Sequence, residues 1–224
     1  MIPWQELGRA RVPQGDLVLS RRGDEYAIRL RGAELMNSRA HQSEEQLAVL
    51  GCAGLRERSG VRVLIGGLGM GFTARAALDV LAADARIVIG ELVPEVVAWN
   101  KGPLAALAGA PLDDPRVDVI VGDIAARIAE ADGAYDAILL DVDNGPDAFT
   151  APGNASLYGV PGLERARRAL APGGRLGVWS VEDDRAFTGR MRGVGFSVEQ
   201  HRIAPHQGSG ARHVVWIGTA PRRP

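Results

Sequence analysis

The chain has 224 residues and a formal net charge of -1, with 46% hydrophobic and 24% charged residues. This composition is too apolar for a disordered chain and too neutral to attract a nucleic-acid backbone, and no apolar run approaches the ~20 residues of a membrane span. It predicts one enzyme-sized unit with neither nucleic acid nor membrane as a partner. The amino terminus shows no charged leader before an apolar stretch, and the single Cys52 cannot form an internal disulfide. A cytoplasmic protein is therefore expected.

Two β-rich runs near the amino terminus, 17–20 and 25–31, lie on either side of a turn that contains Gly23. They predict a β-hairpin. A short third strand is expected over 34–38. Together these elements predict a small β-appendage over residues 1–42.

The first helix is expected directly after this appendage. Ser43 followed by Gln46 is typical of a capping box, so the helix is expected to begin at Ser43 and to end near Gly60. The remaining chain, 43–224, is predicted to form one larger domain.

A glycine-rich turn organises this domain. The apolar run 61–66 predicts a buried parallel strand, and Gly67, Gly69 and Gly71 follow it with the spacing G-x-G-x-G. Glycines at the end of a strand let the backbone approach a ligand closely. A nicotinamide-dinucleotide turn, G-x-G-x-x-G, would need a small residue where this chain has Phe72. The spacing therefore favours an adenosyl-sulfonium ligand.

Helical and strand patterns alternate after the turn, which predicts an α/β fold with a doubly wound, mostly parallel, Rossmann-like sheet. The last two strands have no helix between them, so a terminal antiparallel hairpin is expected. The predicted strands after the turn are 86–91, 117–121, 135–141, 175–180, 196–203 and 213–219. With the strand 61–66 they make seven. Predicted helices begin at Thr73, Pro94 and Asp123, and a further helix is expected around 163–170.

Three of the parallel strands end in an acidic residue, at the sheet edge where ligands bind in such folds. Glu91 lies about 20 residues past the glycine turn, where a carboxylate accepts ribose hydroxyls. Asp123 has two open interpretations, a cap for the next helix or an adenine contact. Asp141 opens an acidic loop that also contains Asp143, and a solvated turn is the alternative for that loop.

These features together resemble the spermidine synthase family, which has the methyltransferase-like fold. The resemblance implies that the glycine turn lies against the aminopropyl or amino-acid end of an adenosyl donor, that Glu91 holds its ribose and that Asp123 contacts its adenine. It also implies a small amine as the second substrate, with a homodimer as one candidate assembly. The residues that carry it are Gly66-Gly67-Leu68-Gly69-Met70-Gly71, Glu91, Val121-Gly122-Asp123 and 135–141.

The resemblance also assigns catalytic roles. Asp141 matches the first acid of the family's catalytic loop, and Asp143 stands in for the second, which orients the amine and accepts its proton. The long loop from Val142 to Tyr158 is a candidate lid, in which Tyr158 either closes on the acceptor or anchors the next helix. In the family the region of His41, Glu44 and Glu45 reaches over the acceptor, but the pattern here assigns no role to these three residues.

One departure from the family changes the expected chemistry. The family's glycine turn carries an aspartate for the amine end, and here Gly69 or Met70 takes its place. Aminopropyl transfer from decarboxylated S-adenosylmethionine is the leading hypothesis. Methyl transfer from S-adenosylmethionine and a non-catalytic nucleoside-binding module are the alternatives. No cysteine or histidine spacing indicates a metal.

Overall fold

The computed structural model describes residues 2–142, 155–204 and 212–222. A four-stranded antiparallel sheet forms the amino-terminal part, in the order β1 to β4. The hairpin and the third strand predicted there are present as β2 to β4, and β1 is an additional edge strand. The sequence of β1, QELGRARV, buries only Ala10, so it lacks the alternation that would have indicated a strand. The strands are β1 (Gln5–Val12), β2 (Gly15–Arg22), β3 (Glu25–Leu30) and β4 (Ala33–Asn37).

Helix α1 (Gln42–Gly51) differs from its prediction at both ends. His41 occupies the N-cap position without a side-chain hydrogen bond, so the predicted capping box at Ser43 is wrong. Ser43 lies inside the first turn, where its hydroxyl contacts Glu44 and His213 instead of a backbone amide. The helix ends at Gly51 and not near Gly60.

The larger sheet has seven strands in the order β10-β11-β9-β8-β5-β6-β7. Strands β9, β8, β5, β6 and β7 are parallel to one another. Strand β11 pairs with β9 in the antiparallel direction, and β10 and β11 form an antiparallel hairpin at that edge. The predicted mostly parallel α/β sheet with a terminal hairpin is confirmed. Its strands are β5 (Arg62–Gly66), β6 (Arg86–Glu91), β7 (Val117–Val121), β8 (Tyr135–Leu140), β9 (Leu170–Ser180), β10 (Ser197–Ile203) and β11 (His213–Thr219).

Helices cover both faces of this sheet, and none in the described ranges is long and apolar enough to cross a membrane. They are α2 (Phe72–Val80), α3 (Pro94–Asn100), α4 (Ile124–Glu130), α5 (Ala155–Tyr158), α6 (Val160–Ala169) and α7 (Arg185–Gly193), with a short 3-10 helix at Pro111–Asp113.

The core has one apolar cluster on each face of the larger sheet. In β5, Val63 and Ile65 belong to one cluster and Leu64 to the other, as expected for a central strand buried on both sides. Leu19 and Ile28 of the amino-terminal sheet belong to the cluster of Val63. The smaller sheet is therefore packed on the larger one, and it lies close to the glycine turn that follows β5.

Candidate functional site

The glycine turn requires glycine for its backbone conformation. Gly67, Gly69 and Gly71 have φ angles of +87°, +52° and +87°, which side-chain-bearing residues rarely adopt. A Cβ on Gly67 would lie 2.2 Å from the backbone oxygen of Asp141, and the Gly67 N–H donates to the Gly90 oxygen at 2.8 Å. The turn is thus held between the ends of β6 and β8, and its open side faces outward.

Glu91 is buried at the end of β6, with 8% of its surface exposed. Its Oε2 accepts a hydrogen bond from the Leu68 N–H at 3.0 Å, and its Oε1 accepts one from the Val93 N–H at 2.8 Å. The carboxylate therefore fixes the glycine turn to the end of β6. The ribose contact of Glu91 stays a prediction.

Asp123 is the N-cap of α4, because its Oδ1 accepts a hydrogen bond from the Ala125 N–H at 2.8 Å. The capping interpretation is confirmed. The adenine contact stays a prediction, since the exposed carboxylate has a second oxygen. Two exposed apolar side chains lie at the same strand ends: Leu92, which follows β6, is 57% exposed, and Val121, the last residue of β7, is 54% exposed. This edge of the sheet thus combines a carboxylate with apolar surface, which suits a nucleoside base.

A cleft of about 650 Å³, counting its open mouth, lies against the glycine turn. Two carboxylic acids, Glu44 and Asp141, share it with two aromatic residues, Phe72 and Trp179. No basic side chain is among the described residues that line it, so the cleft favours a cationic ligand. The lining residues are Leu35, Met36, Asn37, Glu44, Leu68, Gly69, Met70, Phe72, Asp141 and Trp179.

The two carboxyls of the cleft have perturbed acidity. The Thr73 hydroxyl donates to Asp141 Oδ2 at 2.5 Å, yet the loss of solvation outweighs this bond and raises the pKa of Asp141 to about 6. Burial, followed by the charge of Asp141, raises the pKa of Glu44 to about 7. The pair therefore takes up and releases a proton near neutral pH, which is a property of functional carboxyl pairs.

Sequence reasoning gave Glu44 no role. Its position after the amino-terminal sheet carries no local motif, and only the packing of α1 against α2 brings it to Asp141. Asp141 itself lies in the cleft, where the resemblance placed the first catalytic acid. Asp143 lies outside the described residues, so its role as the amine-orienting base stays a prediction.

Two further residues have structural roles. Tyr158 is 2% exposed, packs edge-on against Phe187 with ring centres 5.8 Å apart, and donates to the Val142 oxygen at 3.3 Å. These contacts support the anchoring interpretation over closure on an acceptor. Met70 is buried in the core beneath the turn and also touches the cleft. The described residues contain no group of three or more side chains arranged to hold a metal.

Comparison with known proteins identifies relatives of this chain. No family model matches the chain. The polyamine aminopropyltransferase of Mycobacterium tuberculosis is 31% identical over 164 residues, which cover 72% of this chain and 30% of that protein. The spermidine synthase of Thermotoga maritima superposes with a TM-score of 0.75 at 17% identity, over 98% of this chain and 74% of that one. Over the matched segment the chain is therefore similar to the polyamine aminopropyltransferases, and it has the fold of the spermidine synthases.

Another spermidine synthase, solved with the transition-state analogue AdoDATO, superposes with a TM-score of 0.74 at 16% identity. The superposition covers 98% of this chain and 73% of that spermidine synthase. These structures share the methyltransferase-like fold with this chain. The curated relative is much longer, and the matched segment spans about a third of its length.

Proposed function

We propose that this chain transfers an aminopropyl group from decarboxylated S-adenosylmethionine to a small amine. The observation that carries this proposal is the pair of carboxyls, Glu44 and Asp141, in the cleft against the glycine turn. An amine acceptor is cationic in water, and a cleft with two acids and without a described basic side chain attracts such a molecule. Phe72 and Trp179 add aromatic, apolar walls to the cleft.

The donor is proposed to lie along the ends of the parallel strands. In this arrangement Glu91 accepts the ribose hydroxyls, Asp123 and Leu92 meet the adenine, and the glycine turn faces the aminopropyl tail. The support is the placement of these groups on one edge of the sheet, at the ends of β6 and β7 beside the turn that follows β5. That edge is where ligands of open α/β sheets bind.

The chemistry required of the protein is alignment and proton transfer. The amine nitrogen attacks the carbon attached to the sulfonium, a C–N bond forms, and the C–S electron pair stays on sulfur as a neutral thioether leaves. The enzyme must align the two substrates and receive one proton from the ammonium group. We propose that Asp143 orients the amine, with Asp141 beside it.

Methyl transfer from S-adenosylmethionine is the second candidate, because Gly69 or Met70 stands where the family has an aspartate for the amine end of the donor. A non-catalytic nucleoside-binding module is the third. Calorimetric titration with decarboxylated S-adenosylmethionine, S-adenosylmethionine, methylthioadenosine and a nicotinamide nucleotide separates the two transfer reactions, and a turnover assay with candidate amines separates both from the binding module. Tighter binding of the decarboxylated donor supports the proposal, tighter binding of intact S-adenosylmethionine favours methyl transfer, and binding of a nicotinamide nucleotide alone refutes both.

Location and assembly are further proposals. Cytoplasmic location is supported by Cys52, a free, buried thiol whose pKa burial raises to about 12, so it has little tendency to oxidise. A homodimer is supported by Ile120 and Val121, apolar and exposed on the edge strand β7. Fractionation of the host cell tests the first, and light scattering of the purified chain tests the second.

A further inference from the structure

A chain of hydrogen bonds leads away from the cleft carboxyls. The Ser43 hydroxyl donates to Glu44 Oε2 at 2.5 Å, and the Ser43 Oγ atom lies 2.8 Å from Nδ1 of His213. Ser43 is fully buried, Glu44 lines the cleft, and His213 is half-buried at the start of β11. The series Glu44–Ser43–His213 therefore connects the cleft with a side chain that reaches solvent.

These contacts are specific to the tertiary fold. Ser43 and His213 are 170 residues apart, and the bond between them joins α1 to the last strand of the sheet. The imidazole is also fixed edge-on against Trp179, with ring centres 4.8 Å apart, and Trp179 lines the same cleft. The contact with Trp179 and the hydrogen bond with Ser43 together fix the orientation of the His213 ring, with its Nδ1 atom toward Ser43.

We propose that Ser43 and His213 relay the proton released during aminopropyl transfer from Glu44 to solvent. The proposal rests on the transfer reaction above. A primary ammonium and a sulfonium become a secondary ammonium, a thioether and one proton, so each turnover must export one proton. Glu44 takes this proton, passes it to the Ser43 oxygen as the Ser43 hydrogen moves to His213 Nδ1, and His213 releases a proton from Nε2 to water.

The surroundings set the acidity of the groups at the two ends of this series. Asp141 faces Glu44 from the end of β8, and its negative charge helps Glu44 to hold a proton. On its own helix Glu44 is next to Glu45, which pairs with His41, and α2 presents the neutral hydroxyl of Thr73. Burial lowers the pKa of His213, so the imidazole gives up an acquired proton readily.

The test uses the full chain with Ser43→Ala and His213→Ala. Matched controls are Ser197→Ala and His201→Ala on β10, where Ser197 is exposed and His201 pairs with Glu199. We measure kcat across pH 6 to 9 in weak buffer, the solvent isotope effect, and methylthioadenosine binding. Both relay variants are expected to lose roughly tenfold or more in kcat, within the range of general acid–base assistance, with binding unchanged. Added imidazole is expected to restore much of the loss in His213→Ala.

Each result has a defined meaning. Unchanged kcat and pH profile in both relay variants overturn the relay while the transfer function stands. A fall in kcat that imidazole does not restore in His213→Ala indicates a merely structural role and also overturns it. If the wild type binds the donor but transfers nothing to any amine, the proposed function fails, and the relay fails with it.

Discussion

Glu44→Gln tests the electrostatics of the cleft directly. Burial and Asp141 raise the pKa of Glu44 from its ordinary 4.5 to about 7. Between these values the folded protein binds more protons than the unfolded chain, so the stability gained from protonated Glu44 is complete below pH 4.5 and is lost as the pH rises through 7. At ~1.4 kcal/mol per pKa unit, ionising Glu44 costs the folded state roughly 3 kcal/mol at pH 8.

Glutamine keeps the size of the side chain and an acceptor oxygen for Ser43, but it carries no charge. We therefore expect Glu44→Gln to be more stable than the wild type by about 2 to 3 kcal/mol at pH 8 and by less than about 1 kcal/mol at pH 5. Denaturant unfolding followed by tryptophan fluorescence at both pH values measures this. Glu45→Gln, the neighbouring change in α1, serves as the control and is expected to shift stability by no more than about 0.5 kcal/mol. A stability difference that does not change between pH 5 and pH 8 would refute the reasoning.

Three further predictions concern the nucleoside site and catalysis. Glu91→Ala is expected to weaken methylthioadenosine binding in calorimetry and to lower stability by about 1 to 3 kcal/mol, because the Leu68 and Val93 amides lose their acceptor; unchanged binding would remove Glu91 from the site. Gly67→Ala is expected to lower stability by at least about 1 kcal/mol because of its φ angle and the Asp141 oxygen, whereas Gly122→Ala, with open space around it, serves as the control in the same melting experiment. Asp143→Asn is expected to keep donor binding while turnover falls by about 10² or more; retained turnover would exclude Asp143 as the residue that orients the amine.

The fold was largely readable from the sequence because its signals are local. The apolar run before Gly67, the alternation of strand and helix patterns and the helix start at Asp123 are each signals carried by neighbouring residues. The capping box at Ser43 failed because the same residue types also serve tertiary contacts, here with Glu44 and His213. Strand β1 was missed because its exposed edge position needs no apolar alternation.

Only part of the site could be predicted from the sequence, because some of its residues are brought there by tertiary packing. Residues at strand ends, such as Glu91 and Asp141, follow from the topology of a parallel sheet, since all its carboxyl ends lie at one edge. Glu44 comes from a helix that precedes the sheet, and no spacing rule relates it to Asp141. Its place in the cleft depends on the packing of α1 against α2, which only three-dimensional structure provides.

The most direct measurement is the stoichiometry of products when the purified chain is incubated with decarboxylated S-adenosylmethionine and a small diamine. Mass spectrometry is expected to show methylthioadenosine and the aminopropylated diamine in equal amounts, with both products strongly reduced in Glu44→Gln. Formation of S-adenosylhomocysteine and a methylated acceptor from intact S-adenosylmethionine, with no aminopropyl product from the decarboxylated donor, would contradict the account.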